Sequence, residues 1–419
     1  MYTRPRLTFS LLTGCALIPL LSAAVYATAA PVATAVMEQS VQQVDHPSVA
    51  ELNSLLTSYE ALAAQGGWPT LPAGPSIKPI EQKPLKKTPA PAQVDTPAIL
   101  SEVHDARIPT LRTILSIMGD YTLPEPAADS KLAQSDIYDP ILQAAVKRFQ
   151  LRHGLKDDGA IGEQTRLAMN TPVAYRIRQI KSTLRRIEQA PAASQRYIVV
   201  NIPEYMLRIY EDGKQFEEMK VIVGIAKRPT PRFDTVINYI SFNPTWGVPL
   251  KIAAEELLPK IIEYPDFLSD HHYQVYELTP DGRVLVDAAS VDWKSLSKNH
   301  FPYLLVQDAG DENALGKIKF GLKNSDGIYM HDTSTRQFFE KDMRSLSHGC
   351  VRVEKPRDLA HFVFKVMPKF TDERVDTLYD SDEPKIVGVK ELPVHFVYWT
   401  AWVAPDGRPQ FRKDIYSLD

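Results

Sequence analysis

The chain has 419 residues, 44% of them hydrophobic and 24% charged, with a formal net charge of −3 at pH 7. At about 100–200 residues per domain, that length predicts two to four domains of ordinary soluble composition. The slight acidic balance excludes a general nucleic-acid binder, which carries a strong basic excess.

Arg4 and Arg6 open the chain, an apolar stretch runs from Leu7 to Val25, and Ala27-Thr28-Ala29 follows. Residues 1–29 therefore read as a signal peptide, and the expected location is outside the cytoplasmic membrane. Two alternatives are an uncleaved anchor and lipid attachment at Cys15, within Leu12-Thr13-Gly14-Cys15. Membrane association is expected only in those two cases.

Residues 30–130 read as a mostly helical scaffold. Leu52, Leu55, Leu56, Tyr59 and Leu62 recur at helical spacing, and Gly66-Gly67-Trp68-Pro69 stops the run. Recurrent prolines make 69–97 an extended linker, and a short amphipathic helix follows around Leu111, Ile114, Leu115 and Met118. Residues 133–170 form a small helical module: Leu142, Val146 and Phe149 share one face, Gly154 ends that helix, and Asp158-Gly159 turns into a second. A basic helix at 172–190 carries Arg176, Arg178, Lys181, Arg185 and Arg186, and a charge run of this kind reads as a solvated face.

After Ser194 the texture becomes β. Short apolar runs at 197–200, 207–210, 219–223 and 236–240 are separated by Asp212-Gly213, Gly224 and prolines, as in a sandwich or barrel. An acidic, more helical insertion at about 250–300 has the size of a lid. Strands resume at 303–306 and 318–320, and the aromatic tail reads as a closing hairpin within 371–419. The expected architecture is α+β and multidomain: a β-sandwich-like domain over 195–370 with a helical lid insertion, a small helical module and a helical N-terminal scaffold.

Only two cysteines occur, and Cys350 alone remains once the signal is removed. A spare thiol in an oxidising compartment is a hazard, and its neighbours in Ser347-His348-Gly349-Cys350-Val351-Arg352 are not core-like, which argues against an inert buried cysteine. On a strand, residues two apart share a face, so His348, Cys350 and Arg352 point one way, as do Tyr329 and His331. Two such strands side by side place thiol, imidazole, guanidinium and phenol around one cleft. Cys350 is then a candidate nucleophile and His331 its base, with a backbone carbonyl rather than Asp332 orienting the imidazole. Gly349 allows close backbone approach and amide donors for an oxyanion, and Arg352 can hold a carboxylate. The competing reading is a zinc site of His331, His348 and Cys350, but no supporting ligand spacing accompanies it, so no metal or cofactor is expected.

The combination of His331 with Ser347-His348-Gly349-Cys350-x-Arg352 resembles the L,D-transpeptidases with a YkuD-type catalytic domain. The module resembles a peptidoglycan-binding domain through Ala145-Val146-x-x-Phe149-Gln150, His153-Gly154-Leu155, Asp158-Gly159 and Gly162-x-x-Thr165. Val200 to Pro203, Thr230-Pro231, Asn243 to Pro249, Asn313 to Gly316 and the tail from Thr400 to Tyr416 are similar to the long, YcbB-like subgroup. The resemblance implies Cys350 as nucleophile, His331 as general base and acid, and His348, Gly349, Arg352, Tyr329, Ser347 and Trp246 lining the site. It implies 3→3 cross-linking of peptidoglycan in the periplasm, from a tetrapeptide donor to a diaminopimelate acceptor through a cysteinyl thioester, with carbapenems as acylating inhibitors and cell-wall synthases as candidate partners. Hydrolysis of the same thioester, as in an L,D-carboxypeptidase or endopeptidase, is the alternative within enzymes. A non-catalytic wall-binding protein is the alternative outside them.

Overall fold

The computed structural model describes residues 47–79, 102–122 and 134–419, which lie within one compact unit. The signal peptide, Cys15 and the proline-rich stretch from 80 to 97 fall outside the described residues.

Helix α1 (Val49–Ala64) is capped by Ser48, whose Oγ accepts from Glu51 N–H at 3.3 Å, and ends where Gly66 and Gly67 adopt positive φ. Leu52 and Tyr59 on its inner face join Ile180 and Ile187 of a second helix, Val173–Ile187, and Tyr197, Val199 and Trp399 from the strands beyond. The scaffold helix is thus docked on the outer face of the β domain. The basic helix divides. Arg178, Lys181 and Arg185 are exposed, but Arg186 is buried against Asp419 at 2.7 Å, and buried Arg176 lies 4.6 Å from the Phe411 ring centre. The solvated-face reading fails for those two because they sit on the side that packs against the C-terminal segment.

The small module is larger than its sequence pattern indicates. Helices Ile108–Ile117, Pro140–Arg152 and Glu163–Met169 share a core containing Leu111, Leu115, Leu142, Phe149 and Met169. Leu71 and Ile77 enter the same core; Ile77 pairs with Ile161, and Asn170 exchanges two hydrogen bonds with the Leu71 backbone at 2.7 and 2.9 Å. Residues 71–77 are therefore built into the module and do not act as a linker. Proline spacing shows an extended backbone but not whether its alternate side chains are buried.

The β domain is one nine-stranded sheet in the order β11-β3-β12-β10-β9-β4-β13-β1-β2, and β2 also pairs with β3. The strands are β1 (Arg196–Asn201), β2 (Met206–Glu211), β3 (Lys214–Gly224), β4 (Phe233–Phe242), β9 (Ile318–Leu322), β10 (Met330–His331), β11 (Ser345–Ser347), β12 (Val351–Val353) and β13 (Lys385–Val397). The β2–β3 pairing curls the sheet back on itself around Ile198, Leu207, Val221, Ile240, Phe320 and Val394, with the helix Pro356–Phe364 packed into the same core. β13 lies between β4 and β1, so residues 385–397 are interior to the sheet and not part of a terminal extension. Only Ala401–Val403 and Pro409–Phe411 form the closing hairpin.

The insertion carries helices Leu250–Ile252 and Leu258–Glu263, joined by a wider π-type turn at Ala253–Leu257. It also carries its own antiparallel sheet, β5-β8-β6-β7, from β5 (Trp246–Gly247), β6 (Tyr273–Thr279), β7 (Gly282–Val286) and β8 (Tyr303–Gln307). Val248, Leu257, Ile261, Val275 and Leu305 form a separate core. β8, which the sequence pattern assigns to the main sheet, belongs to this unit.

Candidate active site

β10 and β12 are parallel neighbours, pairing Met330 with Val351 and His331 with Arg352. Tyr329 C=O accepts from Val351 N–H at 3.0 Å, which extends the pairing to the residue beside Cys350. The mouth of the sheet at this point opens into a cavity of about 360 Å³. His331, Tyr329, Ser347, His348, Cys350, Arg352 and Trp246 all line it, so every predicted side-chain position is brought together. Gly349 lies at the turn beneath.

The backbone route differs from regular alternation. β11 ends at Ser347 and β12 begins at Val351, and between them Gly349 has φ +117, a region that L side chains rarely adopt. Ser347 Oγ accepts from Gly349 N–H at 3.2 Å and donates to Cys350 C=O at 2.5 Å, which holds this tight bend. Gly224 packs against it: a Cβ there would lie 2.1 Å from Arg228 C=O and 3.0 Å from Gly349 Cα. Backbone cannot yield as a flexible side chain can. Gly224→Ala is expected to lower stability by at least about 2 kcal/mol, read as the urea unfolding midpoint.

His331 is buried, and its Nδ1 lies 2.5 Å from the Asp332 carbonyl. A carbonyl only accepts, so Nδ1 carries the proton and Nε2 is left as the acceptor. The Asp332 carboxylate faces elsewhere, accepting from Lys317 N–H at 3.1 Å and pairing with Arg336 at 2.8 Å. Burial, reinforced by the Arg352 charge, pushes the His331 pKa down to about 3, so the ring is neutral at any ordinary pH.

Cys350 is a free, half-buried thiol. Burial pushes its pKa up, against the opposing pull of the Tyr329 backbone and hydroxyl, Lys319 and Arg352. Tyr329 is raised as well, by burial and then by the neighbouring sulfur. Its ring centre lies 5.4 Å from that of His331 and 4.2 Å from Lys319 Nζ. A protonated thiol sharing one cavity with a neutral imidazole suits general-base chemistry and is not a preformed ion pair. The rate of Cys350 alkylation by iodoacetamide is therefore expected to keep climbing with pH past the ordinary thiol value of about 8.5, without a plateau at pH 6–7. Stopped-time mass spectrometry across pH 5–10 checks this, and an early plateau would reveal a thiolate–imidazolium pair.

Arg352 donates to Thr335 Oγ1 at 3.3 Å, and no carboxylate lies within ion-pair distance of it among the described residues. Arg228, Glu256 and Lys319 are among the charged residues that escaped sequence reasoning. Glu256, on the π-type turn of the insertion, accepts from His348 Nε2 and from Arg228 Nη1, each at 2.6 Å. This ties the insertion to the Cys350 loop. Lys319 extends from β9. Its alternation with buried Ile318 and Phe320 was the available signal, but the partner strand was not legible.

Residues 195–371 match the L,D-transpeptidase catalytic domain (YkuD), and residues 104–169 match the family described as "Putative peptidoglycan binding domain". A curated protein of Haemophilus influenzae, described as "Putative L,D-transpeptidase", is 40% identical over 223 residues, covering 53% of this chain and 44% of the relative. The chain thus matches less than half the length of that relative. Among solved structures, an L,D-transpeptidase from Mycobacterium smegmatis is 15% identical with a TM-score of 0.22, over 48% of this chain and 58% of that one. One from Xylanimonas cellulosilytica is also 15% identical, with a TM-score of 0.21, over 70% and 94%. No helix among the described residues is long and apolar enough to cross a membrane.

Proposed function

From a chain that carries a YkuD L,D-transpeptidase catalytic domain and a peptidoglycan-binding domain, we propose an exported enzyme that forms 3→3 cross-links between peptidoglycan stem peptides. The observation that carries the proposal is the shared cavity: a protonated thiol, a neutral imidazole with its Nε2 available, and a guanidinium with no carboxylate partner among the described residues. In the first half-reaction His331 Nε2 takes the Cys350 proton as sulfur bonds to the carbonyl carbon of the third stem residue. The bond to the terminal D-alanine breaks, and the departing amine receives the proton from His331. In the second, the side-chain amine of a neighbouring diaminopimelate attacks the thioester and gives its proton to His331. The new amide forms, the carbon–sulfur bond breaks, and the thiol is restored.

Arg352 is suited to a substrate carboxylate, since a half-buried guanidinium with no acidic partner among the described residues gains most from one. The insertion, fastened through Glu256 to His348, lines the cavity with Ile252 and Leu257, apolar side chains that disfavour water as the resolving nucleophile relative to an amine. The peptidoglycan-binding domain supplies attachment to the polymer. Purified protein supplied with disaccharide-tetrapeptide is expected to yield cross-linked dimer and free D-alanine. Tripeptide alone would instead make it a hydrolase acting through the same thioester.

A further inference from the structure

Acyl transfer needs a donor aimed at the developing oxyanion, and the bend at Gly349 limits which backbone group can serve. The Gly349 N–H is already taken by Ser347 Oγ. The N–H of Cys350 has no acceptor among the described residues. Its direction is set by the peptide plane it shares with Gly349 C=O, because in a trans peptide those two groups point oppositely.

That carbonyl is held by Thr230, whose Oγ1 donates to it at 2.7 Å and accepts from Gly224 N–H at 3.0 Å. Thr230 is almost wholly buried, so no solvent competes for either bond. It is itself fixed from the C-terminal segment: Tyr416 OH accepts from Thr230 N–H at 3.2 Å and donates to Gly224 C=O at 2.6 Å. Tyr416 N–H in turn donates to Tyr398 OH at 2.9 Å, and Tyr398 OH donates to Asp414 at 2.6 Å. A continuous chain of hydrogen bonds thus runs from Asp414 to the peptide plane beside the thiol.

We infer that Thr230 and Tyr416 are positioning residues, which lock the Gly349–Cys350 peptide so that the Cys350 N–H serves as an oxyanion donor. The inference rests on the acyl-transfer reading above. It separates two properties of the thiol. Alkylation by iodoacetamide passes through no oxyanion, whereas opening a β-lactam or cleaving a stem peptide does.

The test is the acylation rate of the full chain by a carbapenem, followed by intact mass, beside the iodoacetamide rate on the same samples. Thr230→Val keeps the shape and removes the hydroxyl. It is expected to slow acylation by about 10²-fold, the effect of losing one aligned oxyanion donor, while alkylation is unchanged. Thr230→Ser, which keeps the hydroxyl, is expected to restore acylation. Tyr416→Phe acts one bond further out and gives a smaller loss in the same direction; it carries the test if Thr230→Val does not fold. Native acylation in either soluble hydroxyl-deletion variant, or an equal fall in alkylation, would overturn the inference. Should Cys350→Ala still be acylated, the acyl-transfer reading itself fails; should Cys350→Ala be inert while Thr230→Val reacts at the native rate, only the positioning role fails.

Discussion

Cys350→Ala is expected to cut release of D-alanine from a tetrapeptide donor by at least about 10⁴-fold, with the fold intact. The size follows from the site's composition. Among the described residues Cys350 is the only cysteine, and the groups around it supply protons and charge rather than a second nucleophile. The variant should unfold close to the native temperature, because the thiol's contacts are weak sulfur hydrogen bonds, to Gly327 C=O at 3.9 Å and to the Tyr329 backbone and hydroxyl. Coupled detection of free D-alanine, beside a thermal melt, separates loss of chemistry from loss of structure.

His331→Asn is expected to lower the same rate by about 10²–10⁴-fold, the usual contribution of a positioned general base. The amide can keep the bond to the Asp332 carbonyl but cannot accept the thiol proton. Because the thiol is protonated at neutral pH, its loss of a base should be partly offset at high pH, where hydroxide makes the thiolate. The native rate should show no acid limb from His331 until pH falls toward about 3. Its folded-state value lies below the unfolded value near 6.5, so the unfolded chain binds the extra proton. Stability contributed by the neutral ring is thus present above about 6.5 and lost as pH falls toward 3. A pH–rate profile of the native and His331→Asn proteins checks the catalytic part.

The site was legible because its residues come from two short segments. Tyr329 to His331 and Ser347 to Arg352 each carry their chemistry within a few positions, and strand alternation was enough to group them. The alternation argument grouped side chains that do line one cavity, but by a different backbone, since residues 348–350 form a glycine-dependent bend and not a continuous strand. The groups that escaped arrive from distant segments. Glu256 belongs to the insertion, Lys319 to β9, and Thr230 and Tyr416 are separated by most of the β domain. Their approach depends on pairings between segments distant in sequence, such as β3 with both β2 and β12 and β9 with both β4 and β10, which no local periodicity encodes.

The same limit governs the fold. The change to β texture after Ser194 was clear, but β13 reads as a terminal strand in sequence and is interior in space. Leu71 and Ile77 looked like parts of a linker because neighbouring prolines obscure their burial. Arg176 and Arg186 looked solvated because charge alone does not show which helix face meets the C-terminal segment.

The central claim is that Cys350 accepts a stem peptide as a thioester. Intact-protein mass spectrometry of the full chain mixed with disaccharide-tetrapeptide, quenched in acid, tests it directly. The account predicts a mass gain equal to the donor minus D-alanine, mapped to the Cys350 peptide, removed by hydroxylamine and missing in Cys350→Ala. Turnover of the donor with no adduct at Cys350 under single-turnover conditions, or an adduct that persists in Cys350→Ala, would contradict it.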